Sequence, residues 1–505
     1  MLEGKTFISK NCAVATEHPL SSLAALEVLE KGGNAVDAAV AGSFCLSVVQ
    51  PQLSGLGGDF FALAYVKKEE KVYCINSSGW SRHSMTVDAM RSMGEGKMPV
   101  YGPMSVVIPG YVKGVGGLHE KLGRTEFSGL LTRAIEYAES GFPVTRGLAN
   151  SIKTNQRTIP EGARASLMPQ GRPPRIGELV TQEVLGKTLR SIASDGVDAF
   201  YRGRAAEGIR SAISQKGLEA SPEDFAEFEP EWCDPISVEY RGSKVYEVPP
   251  NSMGATTFAA LKFLEQERMA RMGPNSSKRI SATLEAAMRA YVKRDALLGD
   301  TRFVKFELSD FLSGPDIQKR DATSKVRIRR ADTTYFAVSD KEGNLLSCIQ
   351  SLFHHFGSRV YVEQGGFFLN NRASAFGFSG PNKLEPRKRP LHTLSTLLIE
   401  RERRPMIALG CSGGDFRPQQ HVLFVTNILD YSMSLEEAIG FPRFLWEGGR
   451  DITIEEGYEG LEKIRLTKTM LAYPGRTGVA QGVEELQGAK KAVCDLRGDG
   501  IPLGN

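Results

Sequence analysis

The chain has 505 residues, a net charge of +4 at pH 7, and 41% hydrophobic and 24% charged residues, the balance of an ordinary globular protein. So small a charge excess argues against nucleic acid or a membrane surface as partner, and no run nears the roughly 18 apolar residues of a membrane span. The length allows several conventional domains or one large interwoven fold.

The start, Met1-Leu2-Glu3-Gly4-Lys5, has no basic stretch followed by an apolar core. No signal peptide is expected, and a cytoplasmic location is. Residues 5–16 read as a short strand. His18-Pro19-Leu20-Ser21-Ser22 opens a helix, with Ser21 or Ser22 as its cap, and Gly32-Gly33 closes it. An alanine-rich helix follows over about 35–49. Ser54-Gly55-Leu56-Gly57-Gly58-Asp59 has the wrong spacing for a dinucleotide loop and no Gly-Lys-Ser/Thr, so a tight turn with close backbone approach is expected there. Phe60–Val66 and Val72–Ile75 form a predicted hairpin.

Residues 100–220 are read as mainly helical, with Phe127–Glu139 and Gln182–Ala193 the clearest helices. A second hairpin is expected over 236–248, then helices over roughly 255–271 and 280–298. Arg327-Ile328-Arg329-Arg330-Ala331 is basic and aperiodic. From Thr333 the pattern turns to strands, 333–339 and 345–353 around the turn-rich loop 340–344. Strand-like pieces follow at 366–369, 394–400 and 406–410, then a helix over about 417–429 and another at 434–438. A layered fold of sheets between helices fits this order.

The seven cysteines, at 12, 45, 74, 233, 348, 411 and 494, are scattered and never form a C-x-x-C pair, which argues for reduced buried thiols rather than disulfides or a zinc ribbon. His354 and His355 are adjacent on a predicted strand and point to opposite faces, so no metal is expected there. No cofactor is implied.

Several motifs carry a family resemblance. The strongest is Gly32-Gly33-Asn34-Ala35-Val36-Asp37-Ala38-Ala39-Val40-Ala41. His18-Pro19-Leu20-Ser21, Ser54-Gly55-Leu56-Gly57-Gly58, Asp332-Thr333-Thr334, Leu369-Asn370-Asn371, Lys388-Arg389-Pro390 and Gly413-Gly414 follow in family order. Over nearly its whole length the chain resembles the γ-glutamyltransferase family of N-terminal nucleophile hydrolases. The resemblance implies an α+β fold, a four-layer αββα sandwich with an added helical lobe at about 110–310. It implies self-cleavage between Asp332 and Thr333 into segments 1–332 and 333–505, which stay together as one interwoven fold.

The freed Thr333 is then nucleophile and, through an α-amine with a reference pKa of about 8, its own base. Ser351, where the family usually has threonine, is the expected steering hydroxyl. The backbone N–H groups of Gly413 and Gly414 are the expected oxyanion hole. Small amides are the implied substrates, with water or an amine as acceptor, and a homo-oligomer is compatible with the resemblance.

The donor end departs from the family. Phe353, Arg372 and Ala375 stand where the family binds the α-ammonium of a glutamyl group, and none offers an acceptor. About Ser78 stands in place of the expected carboxylate-binding arginine, and His392-Thr393 in place of paired serines. The segment between Phe376 and Arg389 is short for a lid. These departures, with Asn371-Arg372 and Gly413-Gly414-Asp415-Phe416-Arg417-Pro418-Gln419, resemble the cephalosporin-acylase-like branch. Asn371, Arg372, His392, Thr393 and Ser78 are therefore the expected substrate-binding residues. The reading is an amidohydrolase of γ-glutamyl or related acyl groups that favours hydrolysis over transfer. A glutaryl-type donor lacking the ammonium is one alternative, and an unprocessed binding protein is the other.

Overall fold

A computed structural model describes residues 3–314, 326, 328–401, 403–475 and 477–505. Met1, Leu2 and Arg327, used above, lie outside the described residues.

Two seven-stranded sheets form the centre. One runs Lys5–Ser9, Lys490–Cys494, Ala480–Glu485, Arg404–Cys411, Leu397–Arg401, Ser243–Glu247, Ile236–Tyr240. The other runs Pro502–Gly504, Ala13–Thr16, Asp332–Ser339, Leu345–Phe353, Asp59–Val66, Lys71–Ser77, Glu231–Cys233. Every pairing within these two sheets is antiparallel.

Side-chain alternation builds the layers, because successive residues of a strand face opposite sides. Tyr335, Ala337, Leu345 and Ile349 pack with Leu394, Leu398, Ala408 and Val483 between the sheets. Phe336, Val338, Leu346 and Cys348 face outward onto the helices Pro19–Glu30, Ala35–Val49 and Tyr111–Leu122. Leu397, Ile399, Ile407 and Leu409 face the opposite way, onto Gly254–Glu265 and Arg417–Leu429. The result is the expected αββα sandwich. Tyr335 and Thr396 both hydrogen-bond Ser347, a polar rivet between the sheets.

Three details differ from the sequence reading. Residues 5–16 are two strands in different sheets, Lys5–Ser9 and Ala13–Thr16, so the chain crosses the sandwich within a few residues. The first helix begins at Pro19, and its cap is His18, whose Nδ1 accepts from the Leu20 N–H at 3.3 Å; neither Ser21 nor Ser22 caps it. The helical lobe implied over about 110–310 is not continuous: as the element order expected, the helices from Tyr111 to Ala226 give way to strands at 231–247, which return the chain to both sheets, before helices resume at Gly254.

Candidate active site

Thr333 lies at the start of the strand Asp332–Ser339, at an irregularity in its pairing with Leu345–Phe353. Asp332 opposes Phe353 and Thr334 opposes Gln350, so Thr333 sits on a bulge, a device that re-aims a side chain. It is fully buried.

Its hydroxyl donates to Ser351 Oγ at 3.1 Å. Ser351 Oγ also accepts from the Phe353 N–H at 2.8 Å and donates to the carbonyl oxygen of Asp332 at 3.0 Å. One hydroxyl thus touches both the side chain of Thr333 and the carbonyl just before it. The arrangement can polarise that carbonyl and pass a proton away from Thr333. Behind Ser351, an added Cβ on Gly58 would lie 2.5 Å from the Ser351 carbonyl oxygen, so only glycine lets the turn at 54–58 press against this strand.

Asp332 Oδ2 accepts from His355 Nε2 at 2.7 Å. From the sequence His355 reads only as half of an unsuitable metal-ligand pair. Its partner His354 is stacked on Phe353 at 4.5 Å, and its Nδ1 meets Asn371 Nδ2 at 2.6 Å. Burial, then the positive charge of Arg372, pushes His354 down to about 4. Asn371 also accepts from the His354 N–H and donates to the Val100 carbonyl, so its amide is occupied in holding this loop.

Gly413 (φ 130°) and Gly414 (φ 59°) form the turn that ends the strand Arg404–Cys411. Neither N–H makes a hydrogen bond among the described residues. They are free to serve an incoming oxygen, but the Asp332 carbonyl is served by Ser351. The segment before Thr333 covers this turn. The Asp415 N–H donates to the Arg329 carbonyl at 3.1 Å, the Arg329 N–H donates to Asp415 Oδ2 at 2.8 Å, and a Cβ on Gly414 would meet the Ala331 nitrogen at 2.7 Å.

The charged end of the site centres on Asp59, which in the sequence reads only as the end of a glycine turn. It is wholly buried. Its Oδ1 accepts from the Gly79 N–H at 2.7 Å, and its Oδ2 accepts from Arg372 Nε at 3.1 Å and His392 Nε2 at 3.0 Å. Burial raises its pKa, but His392 and Arg372 outweigh that and hold it below the usual carboxylate value. His392 Nδ1 accepts from the Leu394 N–H, which fixes the proton on Nε2 and the ring as neutral. Burial, then Arg372, accordingly pushes His392 down to about 4.

Arg372 completes this end. It is 1% exposed, donates through Nη1 to Thr393 Oγ1 at 2.8 Å, and lies over the Phe353 ring at 4.4 Å. Burial lowers its pKa to about 10, with Asp59 opposing the shift. Among the described residues its Nη2 has no hydrogen-bond partner. Ser78 is buried too, but its hydroxyl is committed to Asn76 and Asn251. A separate cavity of about 460 Å³ in the helical lobe, lined by Lys187, Asp195, Arg204 and Glu363 among others, shares no residue with this site.

No group of three or more His, Cys, Asp or Glu among the described residues is placed to hold a metal. The hydroxyl pair, the turn of free N–H groups and the charged pocket together are equipped for acyl transfer from an amide.

Comparison with known proteins agrees with this chemistry. The family model for gamma-glutamyltranspeptidase matches residues 21–504. The glutathione hydrolase-like YwrD proenzyme of Bacillus subtilis (strain 168) is 33% identical over 528 residues, covering 99% of each chain. The glutathione hydrolase proenzyme of the same organism is 28% identical over 487 residues, covering 89% of this chain and 83% of that protein. Among solved structures, a cephalosporin acylase from Bacillus halodurans superposes with a TM-score of 0.90 at 30% identity, covering 99% of this chain and 96% of that one.

Proposed function

The chain belongs to the gamma-glutamyltranspeptidase family, and from that premise we propose that it is a proenzyme that cuts its own Asp332–Thr333 bond and then works through the new N-terminal threonine. The observation that carries this reading is the chain of hydrogen bonds from Thr333 Oγ1 to Ser351 Oγ to the Asp332 carbonyl.

In the first step Thr333 Oγ attacks the Asp332 carbonyl carbon, and the Ser351 hydroxyl supports the developing oxyanion. The C–N bond breaks, the nitrogen takes a proton and becomes the Thr333 α-amine, and Asp332 is left as an ester on Oγ. Water cleaves the ester to the Asp332 carboxylate and the free hydroxyl. Before cleavage the Thr333 nitrogen is an amide and cannot act as a base. Ser351 is the hydrogen-bonded group that can carry the proton. Departure of residues 329–332 then uncovers Gly413 and Gly414.

In the mature enzyme the α-amine accepts the hydroxyl proton, Thr333 attacks a substrate amide, and Gly413 and Gly414 N–H groups hold the oxyanion. The acyl-threonine is discharged by water or an amine. The short connection between Phe376 and Arg389 leaves it open to water, so hydrolysis prevails. Residues 1–332 and 333–505 remain one body because both sheets contain strands from each. A cytoplasmic location goes with this proposal.

The charged pocket favours the second reading of the donor. A γ-glutamyl group brings an ammonium that would sit against Arg372, with Phe353 and Ala375 offering it no acceptor. A glutaryl-type acyl group brings only a carboxylate, which the free Arg372 Nη2 can bind. Hydrolysis of glutaryl- and γ-glutamyl-p-nitroanilide by the processed enzyme decides between the donors. Faster cleavage of the glutaryl compound is expected, and a strong preference for the γ-glutamyl compound overturns the donor assignment.

A further inference from the structure

Arg417 belongs to the same end of the site; it lies in the branch-like stretch Gly413–Gln419 but carried no role there. It begins the helix Arg417–Leu429, three residues after Gly414. It is fully buried, and its Nε donates to the Cys411 carbonyl at 2.7 Å. Among the described residues its Nη1 and Nη2 have no hydrogen-bond partner and no carboxylate lies within ion-pair distance of it. Two buried donors on one guanidinium without a protein acceptor call for an acceptor from a ligand or water.

The surroundings set the sign of what is missing. Arg417 acts electrostatically on both Arg372 and His392. Glu247, which also acts electrostatically on Arg417, is paired with His421 at 2.7 Å and hydrogen-bonded by Ser395. Burial works against a charged imidazole, but Glu247 outweighs it and lifts His421 to about 9, so the ring is a cation near neutral pH. Asp59 is matched by Arg372 and Glu247 by His421. The nearby Asp415 is held by Arg294 at 3.7 Å and by the Arg329 N–H. Glu247 and Asp415, the second sharing Arg294 with Asp295, act on Arg417 only at longer range, and among the described residues three guanidinium nitrogens, Arg372 Nη2 and Arg417 Nη1 and Nη2, are open donors. A single carboxylate supplies the missing acceptors.

We propose that Arg417 and Arg372 together form a carboxylate subsite for the acyl donor, so that the enzyme takes monoamides of short dicarboxylic acids with Arg417 as a specificity-determining residue. This rests on the acyl-threonine reading above and deepens it. Arg372 is tied on one edge to Asp59 and Thr393, so it approaches the ligand with one nitrogen, whereas Arg417 presents both terminal nitrogens. A paired-nitrogen grip on one carboxylate explains why an arginine, and not a lysine, stands there.

The test uses the processed enzyme and two p-nitroanilides, glutaryl and valeryl, which differ only in a carboxylate against a methyl. Arg417→Gln is expected to lower the glutaryl-to-valeryl ratio of kcat/KM about 100-fold, mainly through KM. Arg417→Lys is expected to recover part of it. Free glutarate is expected to inhibit the wild type competitively, with an inhibition constant at least about 10-fold weaker for Arg417→Gln.

An equal loss on both substrates marks a structural role and overturns the proposal, and so does an unchanged ratio. A peptide ending in Ile328-Arg329-Arg330-Ala331-Asp332 that competes far better than glutarate, and whose competition Arg417→Gln abolishes, assigns the subsite to the released tail instead. If the wild type itself prefers the valeryl compound, the donor reading above has failed. If the wild type prefers glutaryl and only the Arg417 variants show no effect, this inference alone has failed.

Discussion

The two ends of the site are built in opposite ways. Around Thr333 the polar groups are hydroxyls and backbone, and each hydroxyl of the pair is satisfied: Thr333 by Ser351, and Ser351 by the Phe353 N–H and the Asp332 carbonyl. Around Arg372 the groups are charged, buried and left incomplete, with open donors on Arg372 and Arg417. A satisfied site is ready to react with what it already holds, here the chain's own peptide bond. An incomplete one is ready for something that arrives later. The difference separates the chemistry that matures the chain from the selectivity that the matured enzyme shows.

Mutations that act on one end and spare the other break or sharpen this contrast. The largest effect belongs to Thr333→Ala, which removes the attacking oxygen. Both self-cleavage, read on a denaturing gel, and amide hydrolysis should fall to background, a loss of about 10⁴-fold or more in rate. Cleavage surviving in that variant would move the nucleophile elsewhere.

Ser351→Ala comes next. It should slow both processing and turnover by about 10²–10³-fold, and Ser351→Thr, which keeps the hydroxyl, should largely restore them. Arg372→Gln should act on the other end alone. The band pattern on the gel stays that of the processed enzyme, while discrimination for a carboxylated acyl group drops by about 10–100-fold. A processing defect as large as the loss of discrimination would show that the two ends are not separable.

The smallest effect is on stability against pH. His354 and His392 both fall from an ordinary 6.5 to about 4 in the fold. Their folded pKa lies below the unfolded one, so the unfolded chain takes up protons first as pH falls. The stability they contribute is complete above about pH 6.5 and is lost progressively from there toward 4. The melting temperature should therefore decline across that window, and His392→Gln should make the decline shallower.

What was legible in the sequence follows the same division. Thr333, Ser351, Gly413 and Gly414 came from the family resemblance, through the Asp332-Thr333-Thr334 and Gly413-Gly414 motifs, and the fold sets the Thr333 hydroxyl against Ser351. The layering of sheets between helices was legible in the order of elements and the αββα arrangement came with the resemblance, while the alternation in 332–339 and 345–353 shows in the fold which residues face the other sheet.

Asp59 was read only as part of a turn, and Arg417 only as part of the branch-like stretch 413–419, neither with a role at the substrate. Asp59 reads as the polar end of a glycine turn, and only the folded register brings it to Arg372 and His392, more than three hundred residues away. A carboxylate directly before the apolar run Phe60-Phe61-Ala62-Leu63 was the available signal, because a charge in a buried strand needs a partner. Ser78 and Asn371 were expected at the substrate, and both spend their polar groups on neighbouring loops. His392 was expected there as well, and its ring is fixed between Asp59 and the Leu394 N–H. Position relative to a motif locates a pocket wall, but it does not say which way a side chain turns.

The central claim is that the hydrogen-bonded trio of Thr333, Ser351 and the Asp332 carbonyl is a self-cleaving junction. N-terminal sequencing of the smaller fragment of the purified protein tests it most directly. The account predicts a fragment that begins Thr333-Thr334-Tyr335-Phe336. A chain that stays intact under conditions where it is folded, or a fragment that begins at any other residue, contradicts it.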